Sequence, residues 1–255
     1  MNAKKERIDK LMVYQGLSES RNLAQRLIMA GEVFVDGQLV YKPSDSFPFN
    51  ARITIASQPQ YVSRGGIKLE KAFSEFKDIP VKGSVCADVG ASTGGFTDCL
   101  LQNGALKVYA IDVGYGQLHQ SMRDNNAVIV MERTNVKSLV LLPEPIDIVT
   151  IDVSFISLGR VFPVIKKWNQ EKLMYVIALV KPQFEVGRKI AAVGKGVIRL
   201  EKDRQRALDS VIEMASVEGY QIHGYTESPI QGPKGNVEYL LHLTYNPKGK
   251  YKASE

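Results

Sequence analysis

Cysteine is nearly absent from this 255-residue chain: only Cys86 and Cys99 occur. One falls in an apolar, strand-like segment and the other in the helix expected after it. Both read as small buried residues, and a disulfide scaffold is excluded. Histidine is almost as scarce, and His119, His223 and His242 are scattered without ligand spacing, so no metal site is expected. Long apolar runs are missing too. The longest, Leu173–Val180, has eight residues, too few to span a bilayer. No signal peptide is read at the start of the chain, which predicts a cytoplasmic protein. A strong charge imbalance is also lacking: the net charge is +6 and the pI about 9.1, a mild basicity that suits a nucleic-acid partner without requiring one. With 44% hydrophobic and 24% charged residues, the chain has the composition of a globular protein of one or two domains.

What is present centres on Asp88-Val-Gly-Ala-Ser-Thr-Gly-Gly-Phe-Thr-Asp98. Ser84–Ala87 upstream read as the start of a buried parallel strand, and Phe96–Asn103 downstream as a helix stopped by Gly104. A strand, a glycine turn and a helix N-terminus make a cradle for a nucleotide, with backbone N–H groups facing the ligand. The dinucleotide fingerprint would put glycines at 90, 92 and 95, but Ser92 breaks it and Gly94 is added. That departure points away from NAD and toward S-adenosylmethionine, which has no pyrophosphate to cradle. Asp112 ends the next strand, 22 residues after Gly90, where an acid holds ribose hydroxyls.

Residues 1–58 read as a separate small module. Ile8, Leu11 and Met12 give a first helix that stops at Gly16; Ser18 or Ser20 caps a second, with Leu23, Leu27 and Ile28 as its buried stripe and Gly31 as its end. Asp36-Gly37 then joins two short apolar strands in a hairpin. The helices carry Arg7, Lys10, Arg21 and Arg26, although eight basic and six acidic residues over 1–60 leave only +2. On charge alone these are solvated cations. The order of elements says more: two helices followed by "AGEVFVDGQLV" resembles the RNA-binding domain first known from the small-subunit ribosomal protein S-four, over nearly all of residues 4–57. That resemblance implies RNA contacts at Arg7, Lys10, Arg21 and Arg26, with Arg64 in the segment that follows.

Residues 59–66 are expected to be a linker, introduced by Gln58-Pro59-Gln60. Leu69, Ala72, Phe73 and Phe76 then repeat at helical spacing. From Ser84 on, strands are predicted at 85–89, 107–112, 128–131, 146–151, 173–180, 220–227 and 237–244. Helices are predicted at 95–103, 117–124, 159–168 and 203–218. The alternation predicts an α/β fold, a parallel sheet with helices on both faces. Ligands then bind outside the carboxyl ends of the strands. Asp152 and Lys181 follow predicted strands at that edge, and Glu238 starts the last strand, which shares the edge if it runs antiparallel. Asp152 could instead cap the following helix, and Lys181 and Glu238 could be ordinary edge charges. Lys68, near a helix start, reads by itself as a solvated lysine.

Five motifs in order, "SRGGIKL", "DVGASTGGFTD", "IDVSFIS", "LVKPQFEVG" and "GNVEY", resemble the TlyA family, known both as hemolysins and as ribosomal RNA 2′-O-methyltransferases. Its catalytic domain is similar to FtsJ-type ribose methyltransferases, which implies a Rossmann-like class I methyltransferase sheet over residues 67–246. The resemblance implies a tetrad of Lys68, Asp152, Lys181 and Glu238, with Lys181 as general base, Lys68 disfavouring a second charge beside it, and the two acids holding the amines. It implies cofactor contacts at Gly90, Ala91, Ser92, Gly94, Gly95, Phe96 and Asp112, with Asn135 near the adenine edge. The implied cofactor is S-adenosyl-L-methionine, and the implied partners are ribosomal RNA or ribosomal subunits, met by a monomer or weak dimer. A cytidine ribose is the substrate in the mycobacterial members, where the interdomain linker (Tyr61–Ser63 here) is functionally important.

Gly187–Gly196 is glycine-rich and basic, either a loop that closes over RNA or a plain surface loop. The tail 247–255, with Lys248, Lys250 and Lys252, is expected to be a disordered basic tail. Three other functions compete: a membrane-active hemolysin, an RNA-binding protein with an inactive catalytic domain, and a small-molecule methyltransferase. The first lacks an apolar span or amphipathic membrane face. Intact tetrad positions speak against the second, and the third leaves residues 1–58 without a role.

Overall fold

The computed structural model describes residues 5–56, 60–187, 190, 192 and 194–249. Residues 57–59, where the expected N-terminal module meets the expected linker, four positions of the glycine-rich loop (188, 189, 191 and 193) and most of the expected tail (250–255) lie outside the described residues.

The N-terminal elements are β1 (Lys5–Arg7), α1 (Ile8–Tyr14), α2 (Arg21–Ala30), β2 (Val33–Val35), β3 (Gln38–Leu39), β4 (Ser46–Pro48) and β5 (Ile53–Ile55). Ser20 is the cap of α2: its hydroxyl accepts the Leu23 N–H, which supplies one of the amides a helix start leaves unpaired. Ser18 instead donates to the Ser20 carbonyl. Gly31 ends the helix in the left-handed region, at φ 79°. Asp36 and Gly37, at φ 51° and 81°, make the tight turn between β2 and β3. β5 pairs with the other edge of β2, and β1 pairs with β4. The buried stripe of α2 is Ala24 and Ile28, with Leu27 half-buried against them, so the helix is rotated from the expected Leu23–Leu27 face. These pack on Ile8, Leu11, Met12, Val33, Val35 and Ile53 as one small core.

The larger part contains α3 (Gly65–Glu75), β6 (Val85–Val89), α4 (Gly95–Gln102), β7 (Lys107–Ile111), α5 (Gln120–Arg123), β8 (Val128–Met131) and β9 (Ile148–Ile151). After these come α6 (Phe162–Ile165), β10 (Met174–Val180), α7 (Pro182–Glu185), α8 (Glu201–Val217), β11 (Gln221–Glu227) and β12 (Tyr239–Tyr245). The seven strands stand in the order β11-β12-β10-β9-β6-β7-β8. β12 is antiparallel to both neighbours; the other pairs run parallel. The order reverses after β6, so the carboxyl ends of β6 and β9 splay open beside each other, where α/β sheets bind ligands. α3 and α4 cover one face through Ile67, Leu69, Ala72, Cys99 and Leu100. α6 and α8 cover the other through Phe162, Ile165, Leu208 and Val211. Cys86 and Cys99 are both buried and free.

Two predicted helices are shorter than expected. The 117–124 segment forms only Gln120–Arg123, because Gln117 N–H and the Arg123 guanidinium both turn to the Glu132 carboxylate. The 159–168 segment splits into a 3-10 turn, Leu158–Arg160, and α6, with Pro163 in the first turn of α6. Among the described residues no helix is long and apolar enough to cross a membrane.

Candidate active site

Gly90 follows β6 in the left-handed region (φ 86°), and a Cβ there would collide with the Asp152 carbonyl. Only glycine lets the ends of β6 and β9 approach this closely. Ser92 also takes a left-handed conformation (φ 49°), and its N–H donates to Asp112 Oδ2 at 2.8 Å. The other Asp112 oxygen accepts the Gly114 N–H at 2.6 Å. This carboxylate therefore ties the glycine turn to the end of β7 while lining a cavity of about 740 Å³ with Gly90, Ser92, Val113, Asn135 and Asp152. Asn135 caps the 3-10 turn Val136–Ser138 by accepting the Lys137 N–H, and lines the same cavity.

The remaining turn residues do different work. Ala91, Gly95 and Phe96 line a second cavity, of about 540 Å³. The missing Cβ of Gly94 faces Leu118 and Met122, 2.9 and 3.0 Å away, so this glycine serves packing. Gly95 lies against the start of α3, where a Cβ would come 2.8 Å from Gly66 N and 3.0 Å from Gly65 Cα. Beneath the turn, Asp88 is fully buried and accepts from Thr97 Oγ1 (2.7 Å) and Thr150 Oγ1 (3.0 Å). Burial, with a smaller contribution from the Asp152 charge, pushes its carboxyl up to about 7.

The four candidate catalytic side chains meet on the wall of the second cavity. Lys68 comes from the first turns of α3, and its ammonium bonds Glu238 Oε2 at 2.7 Å; both are almost wholly buried. Glu238 directly precedes antiparallel β12, which returns its start to the carboxyl edge of the sheet. Lys181, just after β10, stands 2.6 Å from Asp152 Oδ1, just after β9. That contact is off hydrogen-bond alignment, and the Lys181 hydrogen bond goes to Ser154 Oγ at 3.0 Å. Asp152 is not a helix cap, since Ser157 caps the following turn. The two cavities share Gly90, Ser92, Asp152, Ser154 and Phe155, so they lie side by side along the glycine turn and the end of β9.

An adenosyl amino acid suits this space. The absent side chain at Gly90, the acid at the end of β7 and the mainly apolar walls match a nucleoside with a flexible tail. Among the described residues no cluster of His, Cys, Asp or Glu could hold a metal ion.

Arg26 and Arg64 line a cleft between the N-terminal elements and the sheet, and Arg64 also lines the 540 Å³ cavity. Arg7 and Arg21 are engaged otherwise. Both bond the carboxylate of Asp9, which is wholly buried and also takes the Gln25 amide. Lys10 pairs with Glu6 of the preceding strand β1. Sequence reading gave no site role to Ser154 and Phe155, which line both cavities, or to Glu185, which bonds Ser157 and Leu158 behind them. Phe155 is 91% exposed at φ 64°, lines both cavities, and meets Phe184 with ring centres 5.0 Å apart. "IDVSFIS" contains two of the three, but nothing in it marks the left-handed phenylalanine.

The FtsJ-like methyltransferase profile matches residues 61–245, and the S4 domain profile matches residues 6–53. YqxC of Bacillus subtilis, named as an rRNA methyltransferase, is 45% identical over 258 residues, covering 98% of this chain and 89% of that protein. The 16S/23S rRNA (cytidine-2′-O)-methyltransferase TlyA of Mycobacterium tuberculosis is 42% identical over 247 residues, covering 94% and 90%. The solved structure of a hemolysin-named protein from Streptococcus thermophilus superposes with a TM-score of 0.70 at 39% identity, covering 98% of this chain and 91% of that one. With a family profile over most of its length and such relatives over nearly all of it, the chain belongs to the TlyA family of FtsJ-like methyltransferases.

Proposed function

We propose that this chain methylates a ribose 2′-hydroxyl of ribosomal RNA, a cytidine as in the named mycobacterial relative, using S-adenosylmethionine. The observation that carries the reading is the convergence of Lys68–Glu238 and Lys181–Asp152 on a cavity walled by the glycine turn. When bound, the cofactor supplies an electrophilic methyl group on a sulfonium. Gly90, Ala91, Ser92, Gly95, Phe96, Asp112 and Asn135 would hold it, with Gly94 shaping the turn.

A ribose hydroxyl is too weak an acid to react unaided, so a base must take its proton. Lys181, as the neutral amine, accepts that proton while the oxygen gains the methyl group. Asp152 and Ser154 orient the amine, and the Lys68–Glu238 pair fixes the opposite wall. Phe155 offers a face on which a base can stack. In this reading residues 1–58 anchor RNA, 59–66 link, and 67–246 catalyse; Arg26 and Arg64 contact phosphates directly, and Arg7, Lys10 and Arg21 do so with their exposed edges. The cytoplasm is the compartment this reading requires.

Lys181→Ala tests it. Methylation of ribosomal RNA should fall on the order of 10²–10⁴-fold, the worth of a general base, while calorimetric cofactor binding persists. Loss of cofactor binding together with methylation would make Lys181 a structural residue.

A further inference from the structure

Two segments leave the carboxyl ends of neighbouring parallel strands. The one after β9 carries Asp152, Ser154 and Phe155 and ends in the 3-10 turn at Leu158. The one after β10 carries Lys181 and the single turn of α7, with Pro182 at its start. Neither is regular enough to hold its own shape: Phe155 is left-handed, and α7 is only four residues long. What joins them beyond the reacting groups is Glu185. Its Oε2 accepts the Ser157 hydroxyl at 2.7 Å, and its Oε1 accepts the Leu158 N–H at 2.9 Å. The carboxyl is largely shielded, and burial pushes it up from the ordinary range while these two bonds oppose that. A shielded acid spending both oxygens on one neighbouring segment is a strap, and the Phe155–Phe184 ring contact ties the same two segments.

We propose that Glu185 is a positioning residue for methyl transfer: by strapping Ser157 and Leu158 to α7, it holds Ser154 and Asp152 against the Lys181 amine. The strap joins the two backbones three residues beyond Ser154 and four beyond Lys181. Releasing it frees the chain at the far end of each segment, while the strand ends keep Asp152 and Lys181 themselves near one another. The result is misalignment of the amine rather than its loss. The inference rests on the reading of Lys181 as the base.

The experiment compares Glu185→Ala, Glu185→Gln and Ser157→Ala with the parent protein. Four quantities are measured: kcat and RNA KM for methylation, cofactor Kd by calorimetry, and the labelling rate of Lys181 by an amine-acylating reagent on cofactor-free protein. A slipped active-site group costs on the order of 10²-fold. Glu185→Ala should therefore lower kcat by roughly 10- to 100-fold, with RNA KM and cofactor Kd within about twofold. Glu185→Gln keeps an acceptor for Leu158 N–H and a polar partner for Ser157, and should recover most of the loss. Ser157→Ala removes one bond of the two and should fall between. Lys181 should be labelled at a rate altered by about threefold or more in Glu185→Ala, since its contacts have slackened.

A Glu185→Ala protein that keeps kcat and the labelling rate and loses only thermal stability overturns the proposal. So does one whose kcat and cofactor affinity fall together without rescue by glutamine. Should Glu185→Ala fail to fold, Ser157→Ala decides by the same kcat and labelling criteria. If instead Lys181→Ala retains methylation, the base assignment fails, and the labelling arm still reports whether Glu185 positions the amine.

Discussion

Replacing Lys68 by methionine should separate catalysis from architecture. The Lys68 side chain is 10% exposed and that of Glu238 1%, with 2.7 Å between ammonium and carboxylate. Methionine fills the volume of the lysine stem but leaves a buried carboxylate without its counter-charge. Breaking a buried pair in this way costs about 3–5 kcal/mol. In a domain of this size that lowers the melting temperature by roughly 6–20 °C. Lys68→Met combined with Glu238→Gln removes both charges, so most of that loss should return, giving a coupling energy on the order of 2–3 kcal/mol. Differential scanning fluorimetry on the two single variants, the double and the parent closes the cycle, and methylation is assayed on the same preparations. The double variant should be nearly as stable as the parent and still inactive. Recovery of methylation along with stability would refute the reasoning, because the pair would then be scaffold. A Lys68→Met protein as stable as the parent would refute it differently, by showing that Glu238 is not desolvated.

Asp88→Asn tests the buried acid beneath the glycine turn. Its folded carboxyl lies at about 7 against an ordinary 3.8, so the native state holds the proton more tightly. Its contribution therefore leaves stability undiminished below pH ~4 and lowers it progressively as pH rises from about 4 to 7, where ionisation of the buried group costs at most roughly 4 kcal/mol. The asparagine variant should gain in melting temperature at pH 8 and change little at pH 4.5; equal shifts at both would refute the assignment. Arg26→Ala, at an exposed arginine without an ion pair among the described residues, should weaken RNA binding and lower the slope of log K against log salt by about 1. An unchanged slope, measured by fluorescence anisotropy, would move the RNA surface elsewhere.

The glycine turn and the strand ends were legible because parallel α/β chains announce themselves in buried apolar strands bounded by turns, whereas the direction of the last strand was left open. Lys68 was not legible by periodicity: it sits beside an amphipathic stripe, and only the order of motifs marked it. Its burial depends on Glu238, 170 residues away. β1, β4 and β5 escaped for another reason: three residues cannot display a period of two, and no Asp-Gly turn like the one between β2 and β3 marks them. Nor could helical spacing reveal that Arg7 and Arg21 turn inward onto Asp9 while Arg26 stays outside. Local pattern gives the face of a helix; which cation on that face finds a carboxylate is decided by tertiary contact.

Those contacts follow one physical rule at several places. Asp9 gathers two arginines and a glutamine, Asp112 gathers the backbone N–H groups of Ser92 and Gly114, and Glu185 gathers a hydroxyl and a backbone N–H. Asp98, in the first turn of α4, accepts the Val62 N–H at 2.9 Å, which pins the segment entering α3 to the helix that follows the glycine turn. Asp112, Glu185 and Asp98 each accept a backbone N–H from an irregular segment that cannot satisfy its own amides, whereas Asp9 holds side chains only. A charged acceptor bonds roughly twice as strongly as a neutral one. It is therefore suited to hold short loops whose ordering costs about 1–2 kcal/mol per residue and which bury little apolar surface of their own. The acids of the candidate site, Asp152 and Glu238, differ in each facing a lysine ammonium. On this account the site is set apart from its scaffold by what its carboxylates hold.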